Sequence, residues 1–383
     1  MLRDSEKEQL KLKDKDIGLV SNCTGVTAEF ERSDQFFAGS GAKLRAVFTP
    51  EHGFFCAGKP GESVSDNSEG KVDVPVTSLY GDRRQPPGEK MEDIDVLVYD
   101  IQDLGVRCYT YIHTMANCMK VAGETGTEFL ILDRPPPLSG KKVEGRPIES
   151  ELSSFIGGYR LPMVYGLTPG ELGKYLSAKF SIGPTPSVVS MEGWSRDLWY
   201  DETGLPWVSP SPGIPYSETA LVYPGTVLLE GTNLSEGRGT SKPFRLFGAP
   251  WLTKKFKVEF MNLISPADKS TFKLRECRYR PRFSNYSGEL CRGYEIYVTD
   301  RLDFSPFRFG IALVKVAHDL YPEDFAWWNS SLNKGKAHFN QLTGSRKFRE
   351  LIEKGCDGEE IMGLAEEGIE EFRDSVMEFF LYK

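Results

Sequence analysis

The 383-residue chain lacks most of the patterns that announce a cofactor. No Gly-x-Gly-x-x-Gly follows an apolar run, and the Gly-x-x-x-x-Gly-Lys-Ser/Thr spacing of a phosphate loop is missing, so no nucleotide cofactor is expected. There is no Gly-x-Ser-x-Gly elbow, which removes serine hydrolases of that type. The four histidines (His52, His113, His318, His338) lie far apart, and no His-Glu-x-x-His occurs. The seven cysteines (Cys23, Cys56, Cys108, Cys118, Cys277, Cys291, Cys356) form no Cys-x-x-Cys pair, which argues against a zinc site. An odd, scattered set reads as reduced thiols. Basic charge is in deficit: 47 Lys and Arg stand against 55 Asp and Glu, a net charge of -8. A nucleic-acid partner needs a basic face and is not expected. No stretch approaches the ~20 apolar residues of a membrane span. The opening segment Met1–Glu8 is charged and mixed, without the apolar run of a secretory signal. The expectation is a cytoplasmic protein whose partner is a small molecule, with its oligomeric state unspecified.

The length suits two domains or one large elaborated one. Four short apolar runs punctuate the first third: Ile17–Val20, Leu44–Phe48, Val96–Tyr99 and Phe129–Leu132. Their near-continuous apolarity predicts a parallel sheet covered on both faces, with helical crossovers between strands. One helix is legible from Tyr109 to Glu124, where Ile112, Met115, Ala116, Met119 and Ala122 recur at helical spacing and Gly126 can end it. Thr168-Pro169-Gly170-Glu171 reads as a second helix start, with Glu171 as a capping residue. Pro206 to Pro224, rich in Pro, Ser and Gly, predicts a loop or linker. Beyond it, Val227–Leu229 and Tyr294–Val298 read as strands. The C-terminus reads as two helices, one around Phe348–Ile352 and a last one from Ile361 to Phe380.

The residues just after each early strand are chemically richer than the strands themselves. The first strand leads into Asn22, the second into Glu51-His52, the third into Asp100, Gln102 and Asp103, the fourth into Asp133-Arg134. A parallel sheet puts these ends on one edge, where open α/β sheets bind ligands. The segment from Asp100 to Tyr111 adds Arg107, Tyr109 and Tyr111. It reads either as a capped helix start with Arg107 in an ion pair, or as a polar, aromatic wall for a hydroxylated ligand. Gly231–Thr240 is a second dense polar stretch, containing Glu236 and Arg238. Paired carboxylates can work on glycosidic bonds without a cofactor.

Several of these stretches resemble a known family. They are Ser21–Gly25, Pro50-Glu51-His52-Gly53, Ser78–Gly81, Asp100–Tyr111, Asp133-Arg134-Pro135, Gly166–Leu172, Glu230–Thr240, Thr299–Arg301 and Leu342–Ser345. In this order they resemble the exo-acting β-N-acetylmuramidases, a glycoside hydrolase family formerly known only as a domain of unknown function. The resemblance implies an α/β fold with a Rossmann-like N-terminal domain, placed at residues 1–224. A smaller C-terminal α/β domain at 225–383 would complete the cleft. It implies release of N-acetylmuramic acid or a related amino sugar from non-reducing ends of peptidoglycan-type oligosaccharides, in cell-wall recycling. Glu51 would be the catalytic general acid, with His52 and Asp103 orienting it. Asn22, Asp100, Gln102, Arg107, Tyr109, Tyr111, Asp133, Arg134, Glu236 and Arg238 would bind substrate, the arginines facing an anionic substituent. The sequence departs from the family pattern at four places. Phe55-Cys56 stands where Arg-Gly is usual, Pro136 and Gly213 where asparagine is usual, and Tyr165 where histidine is usual. These departures leave a second reading open: a carbohydrate-binding or sensing protein on the same scaffold.

Overall fold

The apolar runs become the centre of a six-stranded sheet in a computed structural model that describes residues 12–59, 61–62, 72–328 and 337–383. The opening segment Met1–Glu8 lies outside the described residues. The strands are β1 (Asp16–Ser21), β2 (Lys43–Thr49), β3 (Val76–Ser78), β4 (Val96–Asp100), β5 (Glu128–Leu132) and β6 (Ser187–Val189). Their order is β3-β2-β1-β4-β5-β6, and every neighbouring pair is parallel. The chain builds outward from β1 in one direction and then returns to continue from β4 in the other. A crevice therefore opens between the carboxyl ends of β1 and β4, where Ser21 pairs with Asp100. This is the doubly wound, Rossmann-like arrangement. The two short outer strands, β3 and β6, have only three residues each and carry no readable pattern.

Covering helices bury the faces. The Tyr111–Thr125 helix starts two residues later than the periodicity predicts and ends at Gly126, which takes the left-handed conformation (φ 74°). Met115, Met119 and Ala122 face the core from it. The Pro169–Phe180 helix has the expected box: Thr168 Oγ1 accepts from the Glu171 N–H at 3.2 Å, and Glu171 Oε2 accepts from the Thr168 N–H at 3.1 Å. Glu171 does more than cap, since it is wholly buried and paired with Arg196 at 2.6 Å.

The second half of the chain holds a smaller antiparallel sheet, β7 (Leu246–Ala249), β9 (Cys291–Val298) and β8 (Phe272–Tyr279), in that spatial order. Three expectations need correction here. Val227–Leu229 is not a strand but a 3₁₀ turn, Val227–Gly231, because the preceding Ser217–Thr226 helix runs straight into it. That same helix shortens the expected 206–224 linker. The predicted last helix is two, Gly358–Leu364 and Ile369–Val376, broken at Gly368, whose φ of 78° no helix interior accepts. Its apolar stripe is still core: Ile361, Leu364, Ile369, Phe372 and Val376 are buried. Among the described residues, no helix is long and apolar enough to cross a membrane.

The Ser217–Thr226 helix meets the Pro306–Leu320 helix through two glycines. A Cβ on Gly225 would lie 1.9 Å from the Pro306 carbonyl oxygen, and one on Gly310 would lie 2.2 Å from the Gly225 carbonyl oxygen. Both obstacles are backbone, so no rotamer change relieves them. Gly225→Ala is expected to cost at least ~2 kcal/mol of unfolding free energy by this overpacking. Urea unfolding against the parent protein measures it, and an unchanged midpoint would show that these helices have room to separate.

Candidate active site

Glu51 sits in the turn after β2, and the fold surrounds its carboxylate with donors. Oε1 accepts from the Gly61 N–H and Oε2 from the Thr110 hydroxyl, each at 2.9 Å. The Tyr80 hydroxyl also bonds to it; burial, and then the Glu51 charge, push that phenol well above its ordinary pKa, so it remains a donor. His52 comes next, with a positive φ of 76° that turns the chain sharply. Its Nδ1 lies 2.8 Å from the Gly58 carbonyl, so this nitrogen carries the proton. Burial lowers the His52 pKa, against the pull of the Glu51 charge, which favours the neutral ring.

The second carboxylate group comes from the other half of the chain. Glu230, Glu236 and Arg238 form a cluster in which Glu236 is buried and the other two are partly exposed to the cleft. Arg238 donates twice to Glu230 Oε1, at 3.1 Å and 2.6 Å, and lies 3.4 Å from Glu236 Oε1. Burial would raise both acids, but Arg238 and His338 hold Glu230 below the usual carboxylate range. Glu236 goes the other way, pushed up by burial and by the Glu230 charge despite Arg238. Two neighbouring acids are thus set apart by their environments. Arg238 also lies over the Phe244 ring, 4.8 Å from its centroid.

Glu51, His52, Tyr109, Tyr111, Glu236 and Arg238 line one cleft of about 610 Å³. The residues that sequence reasoning missed there include Tyr80, Arg84, Phe155, Tyr223, Glu230 and His338. Tyr80 and Glu230 lie within stretches that resemble the family, whereas Arg84, Phe155 and His338 gave no signal. Arg84 stacks on Phe155, 4.2 Å from the ring centroid, forming a cationic, aromatic shelf. Tyr109 and Tyr111 pack edge to face, 4.7 Å between centroids.

The remaining expected residues go elsewhere. Asp100, Gln102 and Arg134 line a separate cavity in the β1/β4 crevice. Asn22, Asp103, Arg107 and Asp133 line neither. Asn22 closes the turn after β1, its Oδ1 accepting from the Thr24 N–H at 3.0 Å. Asp103 is buried against the Tyr165 hydroxyl and the Gly105 N–H, and burial pushes it up to about 6. Asp133 accepts from Thr168, Tyr382 and the Gly170 N–H. Among the described residues Arg107 has neither an ion pair nor a place in the cleft; it donates to the carbonyls of Arg146, Leu161 and Leu342. Each of these four takes its hydrogen-bond partners from inside the protein, which is why strand-end position alone misplaces them.

The cysteine expectation also needs correction, because Cys23 and Cys56 are disulfide-bonded, with Cα atoms 5.8 Å apart. Adjacent strands β1 and β2 bring together residues 33 positions apart, a proximity invisible in their spacing. The bridge pins the Glu51-His52 turn to the end of β1. The Tyr165 departure has a role as well, since its hydroxyl holds Asp103.

Residues 17–218 match the family model of the exo-beta-N-acetylmuramidase NamZ N-terminal region, and 221–382 match its C-terminal model. The chain belongs to the NamZ exo-beta-N-acetylmuramidase family. It is a glycoside hydrolase. It is 41% identical, over all 383 residues and 90% of the relative's length, to the peptidoglycan beta-N-acetylmuramidase NamZ of Bacillus subtilis (strain 168). A DUF1343 family protein from Bacteroides fragilis NCTC 9343, known from a crystal structure, superposes with a TM-score of 0.88 at 31% identity. That match covers 100% of this chain and 98% of the other. A second DUF1343 crystal structure from the same organism gives 0.77 at 26% identity, covering 99% and 97%.

The bridge yields a stability prediction. Closing a loop of this size restricts the unfolded chain by about 3–4 kcal/mol. Dithiothreitol should lower the unfolding free energy by that amount, and Cys56→Ser should remove the sensitivity. A urea midpoint unmoved by reductant would show that the bridge does not form in solution.

Proposed function

We propose that this family member releases N-acetylmuramic acid, or a closely related amino sugar, from non-reducing ends of peptidoglycan fragments in cell-wall turnover. The activity of its Bacillus subtilis relative, a peptidoglycan beta-N-acetylmuramidase, supports the substrate class. The observation that carries the chemistry is that one cleft holds Glu51, met by donors, and across from it two acids, Glu230 and Glu236, that Arg238 and burial set apart. Glu51 meets donors on both oxygens. That surrounding suits a carboxylate acting as base or nucleophile, rather than the acid expected of it from the family resemblance. Glu236 keeps its proton to higher pH than an ordinary glutamate. It is the better proton donor to the departing oxygen. Arg238 and the Arg84–Phe155 shelf offer a cation and an aromatic face to a sugar bearing a carboxylate. Residues 1–224 would supply Glu51 and 225–383 would supply Glu236, so the cleft needs both units. The disulfide suits an oxidising compartment rather than the reducing cytosol expected from the sequence. The purely carbohydrate-binding alternative gains nothing from the geometry, because both carboxyl groups are in place.

The two carboxyl roles separate by leaving group. Glu51→Gln should lower kcat/KM by about 10²–10⁴-fold on both oligosaccharide and 4-nitrophenyl glycosides of N-acetylmuramic acid. Glu236→Gln should do so on the oligosaccharide but far less on the nitrophenyl substrate, whose leaving group needs no proton. Activity of the parent should fall as pH rises past the elevated Glu236 value, and the Gln variant should lose that limb. Equal losses on both substrates for Glu236→Gln would remove it as the acid.

The family departures separate too. A Cβ on Gly213 would lie 3.2 Å from Phe244 and 3.5 Å from Arg238 Nη1, at the cleft wall. Pro136 is buried and packs toward Gly105, lining neither cavity. Gly213→Asn should raise kcat/KM on the muramic substrate about threefold to tenfold, the worth of one hydrogen bond. Pro136→Asn should not raise it. Steady-state kinetics of the two single variants decides between an amide that binds substrate and a loop whose backbone suffices.

A further inference from the structure

The second cavity, of about 230 Å³, occupies the β1/β4 crevice, where doubly wound folds hold dinucleotides. It cannot serve that purpose, for it is far too small and no glycine fingerprint follows β1. Its chemistry is nonetheless that of a binding site. Phe36, Tyr200, Leu205 and Val208 supply apolar walls, and Asp100, Gln102 and Arg134 supply a polar floor. Arg134 gives its Nε–H to Asp100 Oδ1 at 2.7 Å and its Nη2 to the Val26 carbonyl at 3.2 Å. Gln102 Nε2 donates to the carbonyls of Asp103 and Pro135, each at 2.8 Å. These bonds lock both side chains and leave Arg134 Nη1 and Gln102 Oε1 without a hydrogen bond to any described residue. On the floor, one fixed donor and one fixed acceptor thus remain, with the hydroxyls of Ser33 and Thr24 already bonded to Asp100 and the Gln102 N–H.

Charge narrows the ligand. Asp100 neutralises Arg134 at contact distance, so the floor has no net charge to offer; the third charged group of the lining, Glu29, is exposed to solvent, which screens it. An anion entering would meet the Asp100 carboxylate, and a cation would meet the guanidinium, each giving up its water without a counter-charge. The geometry points to a binding site for an uncharged, single-ring molecule bearing a carboxamide, whose carbonyl accepts a hydrogen bond from Arg134 Nη1 while its N–H donates to Gln102 Oε1. The glycosidic cleft lies beyond the 206–214 segment, so this site is separate from it: Pro206 and Val208 line the crevice, while Ser211 and Ile214 line the cleft.

Benzamide, benzoate and benzylamine share one shape and differ in charge, which makes them the probes. In methyl-detected NMR titrations of the full chain, benzamide should saturate and shift the methyls of Val26, Leu205 and Val208. Benzoate and benzylamine should bind at least about fivefold more weakly, a difference of about 1 kcal/mol. Val208→Trp fills the cavity and should abolish the benzamide shifts while the thermal midpoint is retained. If that variant does not fold, Leu205→Trp replaces it, and the methyl map on the parent protein needs no variant. The proposal is overturned if benzamide fails to saturate, if its shifts map to the glycosidic cleft, if a charged isostere binds as tightly, or if a folded filled variant still binds.

Discussion

Arg107 is wholly buried with no ion pair to any carboxylate among the described residues, and three separate segments are built around its guanidinium. It leaves the loop after β4 and donates to carbonyls at Arg146, Leu161 and Leu342. Leu342 belongs to the cleft wall supplied by the second half of the chain. Gly344, with φ at 81°, lets that segment turn over the guanidinium; a Cβ there would lie 3.0 Å from both terminal nitrogens. Burial lowers the Arg107 pKa to about 10, so the charge survives at neutral pH and the carbonyl dipoles are its compensation. An interior cation held through its two terminal nitrogens, with Nε unbonded among the described residues, tolerates little movement of its acceptors. The half that carries Glu51 and the half that carries the far wall are therefore held in one relation, and a cleft that takes its carboxyl groups from both halves needs that.

The central strands were legible because a parallel sheet buried on both faces needs unbroken apolar runs, and Ile17–Val20, Val96–Tyr99 and their neighbours are such runs. The Thr168 cap was legible for a similarly local reason: its hydrogen bonds span three residues. The Val227–Leu229 misreading shows where local pattern ends. Three branched apolar residues fit a strand or a buried turn equally, and only the helix running into them decides. Gly368 was overlooked because an apolar stripe continues across it, while the backbone does not.

The site was legible in part. Strand-end position found Glu51 and His52, and the dense Gly231–Thr240 stretch held Glu236 and Arg238. It did not say which polar residues face a cavity and which satisfy one another. Asp133 lines neither cavity, because Thr168, Tyr382 and the Gly170 N–H already surround it. The aromatic shelf of Arg84 and Phe155 comes from two loops remote in sequence, so no spacing reports it. The Cys23–Cys56 bridge is hidden for the same reason.

That bridge also bears on how one sheet edge comes to have two cavities. An open parallel sheet presents a continuous row of carboxyl ends, and the simplest expectation is one site along it. Here the 206–214 segment crosses the edge. Tyr111 donates to the Pro210 carbonyl at 2.5 Å, and Cys23 Sγ lies 3.2 Å from the Ser209 carbonyl. The Tyr111 hydroxyl thus anchors the crossing from below at the helix following β4, while the disulfide sulfur of Cys23, with no proton to donate, only packs against it. On one side remain Asp100, Gln102 and Arg134, neutral as a group; on the other remain Glu51 and His52, facing the charged cluster of the second half. The division leaves Glu51 and Glu236 in a different cavity from Arg134, whose charge is already taken by Asp100. Arg238 is then left as the cation that sets the two glutamates of its cluster apart, which the site requires if one of them is to keep a proton.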